Sequence, residues 1–462
     1  MNTDKVPNIY LLGIGGIGMS ALARYFNAMG KAVSGYDKTQ TALTDELSAE
    51  GIAVHFKEDV SGLQALGLTP ENTLVIYTPA VPKSHSEYIY FSAQGFDIKK
   101  RSEVLGQITQ HSFTVAVAGT HGKTTTSSLI AHILRSAGID CSAFLGGIAQ
   151  NYGTNLLIGK KLSESGSVVV VEADEYDRSF LALHPDIAVI TSIDADHLDI
   201  YENKELMQES YNLFANQVKR GGVLIAKKGT EAILNGVEVR VIDYSLSEKT
   251  EYHASDIHIS GGQYRYSVMA KDHVITELTL GLPGSHNVEN SVAAVAVAKT
   301  MGVSDEQIRM ALASFKGVKR RFEYQIKTDA LTYIDDYAHH PEELKACIRS
   351  VRELYPSKKI TGVFQPHLYT RTRDFASGFS ESLSLLDEVI LLDIYPAREQ
   401  PITGVSSAML LKDIRSASKM VCSKEELVAE LKKRKLEVLL TAGAGDIDML
   451  VEPIRNAFTK GN

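Results

Sequence analysis

Two short glycine turns, each set between an apolar strand and a helix, constrain this chain more than any other feature. The first lies in NIYLLGIGGIGMSALARYFNAMG, where Gly13, Gly15 and Gly18 follow a continuous apolar run and Gly30 closes the helix. The second lies in FTVAVAGTHGKTTTSS, where Gly119 and Gly122 separate the strand from a helix opening at Lys123. A strand apolar on both faces that turns directly into a helix belongs to a parallel sheet covered on both sides, because only there does neither face meet water. The chain therefore starts at least two α/β layers.

The remaining sequence extends the pattern. AVSGYD, NTLVIYTPAV and FDIKK continue the alternation to about Arg101, while SVVVVEADE, DIAVITSIDADHLD and GGVLIAKKG follow the second turn. Between Tyr252 and Leu282 the texture changes to alternating apolar and polar residues joined by Gly261-Gly262 and Lys271-Asp272, which predicts short antiparallel hairpins. A third block begins near Val318, with LTYIDDYA, KKITGVFQP, DEVILLDIYP, KMVC and LEVLLTAGAG as strands. At 462 residues the chain exceeds one core, since domains average about 150 residues. The expectation is an α/β protein of three domains: an N-terminal Rossmann-like domain over 1–105, a central P-loop ATPase-like parallel sheet with a small antiparallel appendage over 106–317, and a C-terminal Rossmann-like domain over 318–462.

Composition narrows the function classes. A formal net charge of −8 leaves no basic excess for a nucleic acid backbone, so small anions in local basic pockets are the expected partners. The three cysteines, Cys141, Cys347 and Cys422, are far apart without metal-ligand spacing, which fits a reducing cytoplasm. The apolar run Ile9 to Ala23 is interrupted by four glycines, and no stretch reaches the length of a membrane span. A soluble cytoplasmic monomer or homodimer is expected.

Gly13, Gly15 and Gly18 form G-x-G-x-x-G, where missing side chains let a backbone approach a diphosphate at a helix N-terminus, and Asp37 ends the next strand where an acid meets a ribose hydroxyl. The second turn is shorter than the common P-loop: Val117 stands where G-x-x-x-x-G-K-[ST] has its first glycine. Its context still fits a nucleoside triphosphate. Backbone N–H groups from Gly119, Thr120, His121 and Gly122 onward would hold phosphate oxygens, Lys123 would reach the β/γ pair, and the Thr124 hydroxyl beside Thr125 would ligate Mg²⁺. Glu172, with Asp174, Glu175 and Asp177 after it, and His197, among Asp194, Asp196 and Asp199, end adjacent strands where a phosphate-bound metal would find oxygen and imidazole ligands. GSHNVENSVAA and GVKRRFE are further polar clusters. In the third block His367, Arg371, Arg373 and Arg398 gather after strands, on the rim where doubly wound sheets bind anions.

Taken together, GIGGIGMSALA, GTHGKTTT, EADEYDRSF, DADHLD, HNVENSVAA, RRFE, DDYAHHP and FQPHLYTRT resemble the Mur ligase family over Ile9 to about Asp446. In that family the phosphate loop is short, so Val117 is expected. The resemblance implies an ATP-dependent amide ligase that joins L-alanine to the carboxylate of UDP-N-acetylmuramate through an acyl phosphate, releasing ADP and phosphate, in peptidoglycan precursor synthesis. It also implies that Lys123 contacts the ATP phosphates, that Thr124 and Glu172 hold one Mg²⁺ and His197 a second, and that His286, Asn287 and Asn290 lie by adenine and ribose with Arg321 by the phosphates. Gly15, Gly16, Ile17, Gly18 and Asp37 would face the UDP moiety. Tyr337, His339 and Arg371 would surround the alanine, with His339 as a candidate base for its ammonium proton.

Two departures bear on this. Leu368 stands where many relatives have an arginine, and no lysine lies between Lys204 and Lys219, where sister ligases carry a carbamylated one. The second departure favours the alanine-adding branch. Among competing readings, a nicotinamide-dependent oxidoreductase leaves GTHGKTTT idle, and a P-loop kinase uses the central block alone. A folate–polyglutamate ligase does not need the first glycine turn, and a UDP-sugar sensor does not need the acids around Glu172.

Overall fold

The computed structural model describes residues 6–161, 166–194, 201, 203–230, 233–397 and 399–459. Three sheets organise them. The first is built from β1 (Asn8–Leu12), α1 (Ile17–Ala28), β2 (Ala32–Tyr36), α2 (Ala42–Ala49), β3 (Ala53–His55), α3 (Val60–Ala65), β4 (Thr73–Tyr77), α4 (Ser86–Ala93) and β5 (Asp97–Lys100), with α5 (Arg101–Gln110) leading out. Its strand order is β3-β2-β1-β4-β5, parallel throughout. The order reverses beside β1, so the turn after β1 opens at the crevice where such sheets take ligands. Gly30 ends α1 at φ +74°, and Lys31 N–H reaches back to Phe26 O at 3.0 Å, a left-handed closure that costs glycine nothing.

The central sheet has ten strands in the order β15-β14-β13-β12-β11-β10-β6-β9-β7-β8. They are β6 (Phe113–Ala118), β7 (Cys141–Ala149), β8 (Thr154–Leu157), β9 (Val168–Glu172), β10 (Ile187–Ile190), β11 (Val223–Lys227), β12 (Arg240–Ser245), β13 (Tyr252–Ser260), β14 (Gln263–Ala270) and β15 (His273–Leu280). Helices α6 (Lys123–Ser136), α7 (Lys204–Asn216), α8 (Ser285–Thr300) and α9 (Asp305–Ser314) accompany it. Val115 to Ala118 and Ile187 to Ile190 are all at or near zero exposure, as strands covered on both faces require. The appendage comprises β13, β14 and β15 as sequential neighbours, and β13 pairs with β12 in parallel, so the ribbon continues the main sheet. Gly261 and Gly262 both take positive φ, as a two-residue hairpin turn needs.

The third sheet contains β16 (Glu323–Lys327), β17 (Thr332–Asp336), β18 (Ile360–Phe364), β19 (Glu388–Leu391), β20 (Ser418–Val421) and β21 (Val438–Ala442), ordered β16-β17-β21-β18-β19-β20. Only the β16–β17 pairing is antiparallel. Its helices are α10 (Pro341–Leu354), α11 (Tyr369–Asp374), α12 (Ala376–Leu383), α13 (Ser407–Leu411), α14 (Lys424–Lys432) and α15 (Asp448–Thr459). The sequence patterns do not reveal β7, β8, β12 and β16, which are short, glycine-interrupted or half exposed.

The chain divides into two compact units. One comprises Met1–Ala254, Val268–Ile275 and Asn290–Leu312; the other comprises Ser255–Ser267, Thr276–Glu289 and Ala313–Asn462. The 105/106 boundary set from the sequence falls within α5, and the 317/318 boundary falls between α9 and β16. All three cysteines are buried thiols. Among the described residues no helix is long and apolar enough to cross a membrane.

Candidate active site

In the first unit, β6 delivers the short glycine turn. Gly119 takes φ +138°, where an added Cβ would lie 2.0 Å from Thr191 Oγ1, and Gly122 takes φ +83°, where it would lie 2.5 Å from Asn290 Oδ1. Both positions exclude any side chain. The turn is fastened to the segment after β10: Thr120 N–H donates to Ser192 O at 3.1 Å, Asp194 N–H to Thr120 Oγ1 at 3.0 Å, and His121 N–H to Ser192 Oγ at 2.9 Å. No side chain caps α6 at Gly122, and no acid lies in its first turn, so the helix N-terminus at Lys123, Thr124 and Thr125 is shaped for an external anion.

Lys123 folds across this turn. Its Nζ donates to Gly119 O at 2.6 Å and to Glu175 Oε1 at 2.8 Å. Burial alone would lower the pKa of this ammonium, but Glu175, Glu172 and Asp174 outweigh it and hold the group above the ordinary lysine range. The lysine is therefore a permanent cation, as phosphate binding requires. Glu172 ends β9 directly opposite Val117 in the parallel register, and its Oε2 accepts from Gly146 N–H at 3.0 Å. Val117 is thus a fully buried strand residue, two positions before Gly119.

The first glycine turn shows the same logic. Gly13 takes φ +87°, Gly15 N–H donates to Asp37 Oδ2 at 2.8 Å, and Gly16 precedes α1 without a side-chain cap. An added Cβ at Gly18 would lie 2.6 Å from Arg101 Nη1. Arg101 pairs with Asp174 at 3.0 Å and Lys100 with Asp177 at 3.0 Å, so two of the acids after Glu172 bridge to the end of β5. Ile17, Gly18, Arg101, Gly146, Glu172 and Asp174 line a cavity of ≈ 130 Å³. That cavity joins the first glycine turn to the strand end beside the second.

In the second unit, Tyr337 and His339 follow β17 with ring centroids 5.2 Å apart, and His339 lies 6.1 Å from the ring of His367. Arg371 Nη1 is 3.4 Å from His367 Nδ1, so Tyr337, His339 and Arg371 converge through His367. His339 Nδ1 meets two acceptors, Tyr337 O at 3.0 Å and Glu343 Oε2 at 3.2 Å. The two acceptors place a hydrogen on Nδ1. Arg321 lies over the Tyr337 ring at 5.0 Å. His286 is pushed down to about 4 by burial and by Arg321, against the opposing pull of Glu343, so it is neutral near pH 7. Asn287 Nδ2 donates to Pro283 O at 2.5 Å. Leu368 starts α11 at φ +71°.

The structure brings Gly119 to Thr125, Glu172 and Asn290 together in the first unit, with Gly15 to Gly18 and Asp37 around the other turn. His286, Asn287, Arg321, Tyr337, His339 and Arg371 lie in the second. His197 and Arg398 lie outside the described residues, as do Asp196 and Asp199. Arg373 is an exposed side chain whose Nε pairs with exposed Asp374 at 2.7 Å. The role of Glu175 as partner of Lys123 and that of Arg101 beside Gly18 escape sequence reading. Strand-end position was a signal for Arg101, whereas no spacing tells which acid of EADEYD turns back onto the loop.

Three family models match in succession: Mur ligase family, catalytic domain, over residues 8–113; Mur ligase middle domain over 117–298; and Mur ligase, glutamate ligase domain over 320–445. A UDP-N-acetylmuramate–L-alanine ligase of Flavobacterium johnsoniae is 51% identical over 460 residues, covering 100% of both chains. One of Parabacteroides distasonis is 50% identical, covering 100% of this chain and 99% of its own. The crystal structure of a UDP-N-acetylmuramate–alanine ligase from Thermotoga maritima superimposes with a TM-score of 0.81 at 26% identity, over 98% of this chain and 100% of that one. The chain belongs to the Mur ligase family.

Proposed function

We propose that this enzyme joins L-alanine to the carboxylate of UDP-N-acetylmuramate at the expense of ATP, releasing ADP and phosphate, in peptidoglycan precursor synthesis. The observation that carries the reading is the cavity lined by Gly18 of the first glycine turn and by Glu172, which ends the strand paired with β6 just before the second turn. Two such turns serve group transfer between two ligands. The resemblance to curated alanine ligases over the whole chain supplies the substrates.

A carboxylate is a poor acyl donor, so ATP first phosphorylates it to an acyl phosphate, which the alanine amine attacks with phosphate as leaving group. Lys123 offsets the repulsion between carboxylate and γ-phosphate. The donor set fits Mg²⁺: Thr124 offers a hydroxyl, Glu172 a carboxylate, and Glu172, Asp174 and Glu175 together put more negative than positive charge around Lys123. Among the described residues no group of three or more His, Cys, Asp or Glu gathers as a protein-only metal cage, which suits an ion whose other ligands are phosphates and water. Mg²⁺, when bound, neutralises charge on the transferring phosphoryl group. His339, through Nε2, takes the proton from the alanine ammonium, and Arg371 holds its carboxylate.

The test is phosphate release across sugars and amino acids. Release is expected only with ATP, UDP-N-acetylmuramate and L-alanine together, and Lys123→Ala is expected to abolish it. Release independent of the sugar would overturn the reading.

A further inference from the structure

Phosphorylating one ligand with another demands that the first glycine turn be held at a fixed distance from the second, since reacting atoms must meet within about 3–3.5 Å. The two turns belong to different sheets of the first unit, and α1, together with the Arg101–Asp174 and Lys100–Asp177 pairs, links them. Its N-terminus carries Ile17 and Gly18, and its body packs on β7 and β8 of the central sheet, where the Tyr25 and Phe144 rings lie 5.4 Å apart. Ring packing resists separation but tolerates sliding. Directional polar contacts do not.

One such contact is wholly buried. Asn155, in β8, is 0% exposed. Its Nδ2 donates to Ile17 O at 2.6 Å and to Ser20 Oγ at 3.1 Å, and its Oδ1 accepts from Arg24 Nη1 at 2.7 Å. Both ends of the amide are thus engaged along one face of α1, two of the contacts in its first turn. Arg24, itself 8% exposed, is held by Glu50 through Nε at 2.9 Å and by Glu46 through Nη2 at 2.9 Å, so its charge is balanced by carboxylates from α2 and the following residue. A carboxamide is the side chain that both donates to a carbonyl and accepts from a guanidinium at one site. A carboxylate there would face the Ile17 carbonyl oxygen at hydrogen-bond distance with no hydrogen between them.

We infer that Asn155, braced by Arg24, is a positioning residue that fixes the first turn of α1, and with it the sugar-binding glycine turn, against the sheet that presents ATP. The inference rests on the proposed ligase reaction. Misplacing α1 by a fraction of an ångström slows phosphoryl transfer while leaving each substrate its own binding groups.

The experiment compares wild type, Asn155→Asp and the milder Asn155→Ser in three measurements: hydrogen exchange of the ligand-free chain, separate titrations of ATP and UDP-N-acetylmuramate, and steady-state ligation. Exchange at the Gly18 to Ala23 amides is expected to rise at least tenfold, with β1 and β6 still protected. The rate constant kcat is expected to fall about 10- to 100-fold, with both dissociation constants within threefold of wild type. Exchange raised uniformly across the unit, or a loss of kcat that merely tracks weakened sugar binding, would overturn the inference. So would unchanged kcat in a variant with a loosened α1. Should Asn155→Asp not fold, Asn155→Ser is read by the same criteria. A wild-type chain without ligase activity refutes the proposed function instead, while the exchange result still decides whether Asn155 holds α1.

Discussion

Gly122 and Gly138 bracket α6 at the same backbone angle, φ +83°, and alanine at each separates the cost of that angle from the cost of filling the phosphate loop. Gly138 closes α6, with Gly138 N–H bonded to Arg135 O and Ile139 N–H to Leu134 O, and an added Cβ there meets nothing within 4 Å. Gly138→Ala should therefore cost only the left-handed penalty, about 1–2 kcal/mol, seen as a fall of a few degrees in Tm. At Gly122 the same penalty applies, and the new Cβ would also sit 2.5 Å from Asn290 Oδ1, nearly an ångström short of the 3.4 Å at which ordinary contact begins. Either Asn290 swings away or the loop backbone tilts, and the N–H groups at the start of α6 lose their aim. Each charge-assisted hydrogen bond lost to a phosphate costs about 1.5–3 kcal/mol, so ATP should bind roughly 10- to 100-fold more weakly to Gly122→Ala. Gly138→Ala should bind ATP as wild type does. Calorimetric titration with ATP and thermal melts of the three proteins decide the matter. Equal ATP affinity in the two variants would refute the claim that this turn is the triphosphate site.

Three further outcomes are expected. Because His286 is pushed down to about 4, the native state binds fewer protons than the unfolded chain between that pH and the ordinary 6.5; its contribution is complete above pH 6.5 and is lost as pH falls toward 4. Discounted for the partial exposure of the ring, the loss is about 1–2 kcal/mol, and denaturant titrations of His286→Gln from pH 7 to 4 should show a correspondingly flatter decline. Arg101→Lys keeps the charge but loses the planar group packed against Gly18 and Asp174, so KM for the UDP-sugar should rise about tenfold with KM for ATP within twofold; an equal rise in both would count against a sugar-side role. Leu368→Arg places a second guanidinium one turn from Arg371, and KM for alanine should fall about fivefold in initial-rate assays. An unchanged KM would show that Leu368 does not border the amino acid.

Much of the site could be read in the sequence, and the division is physical. Strands buried on both faces, such as FTVAVA and DIAVI, advertise themselves by continuous apolarity, and a glycine turn after such a strand marks a candidate anion site; the positions of β6, Gly119 to Thr125 and Asp37 were legible for that reason. Strands on the sheet margin carry no such run. β7 contains Gly146 because the Glu172 carboxylate occupies the space where a Cβ there would stand, and β8 has only four residues. The seam between the first two sheets, with Asn155 and Arg24, was hidden for this reason. Which acid pairs with Lys123 was equally illegible, since Glu175 lies three residues past the end of β9, in a segment where no local pattern tells it from Asp174 or Asp177. The convergence of Tyr337, His339 and Arg371 depends on His367, which lies across two strand ends and becomes a neighbour only when the sheet forms.

The central claim is that ATP activates the sugar's own carboxylate. Its most direct test uses UDP-N-acetylmuramate with both carboxylate oxygens replaced by ¹⁸O, incubated with ATP, L-alanine and the enzyme, followed by mass analysis of the released phosphate. An acyl phosphate delivers one carboxylate oxygen to phosphate when the amine displaces it, so each phosphate released should carry one ¹⁸O and the amide product should keep the other. Phosphate free of label, with amide still formed, would contradict the account.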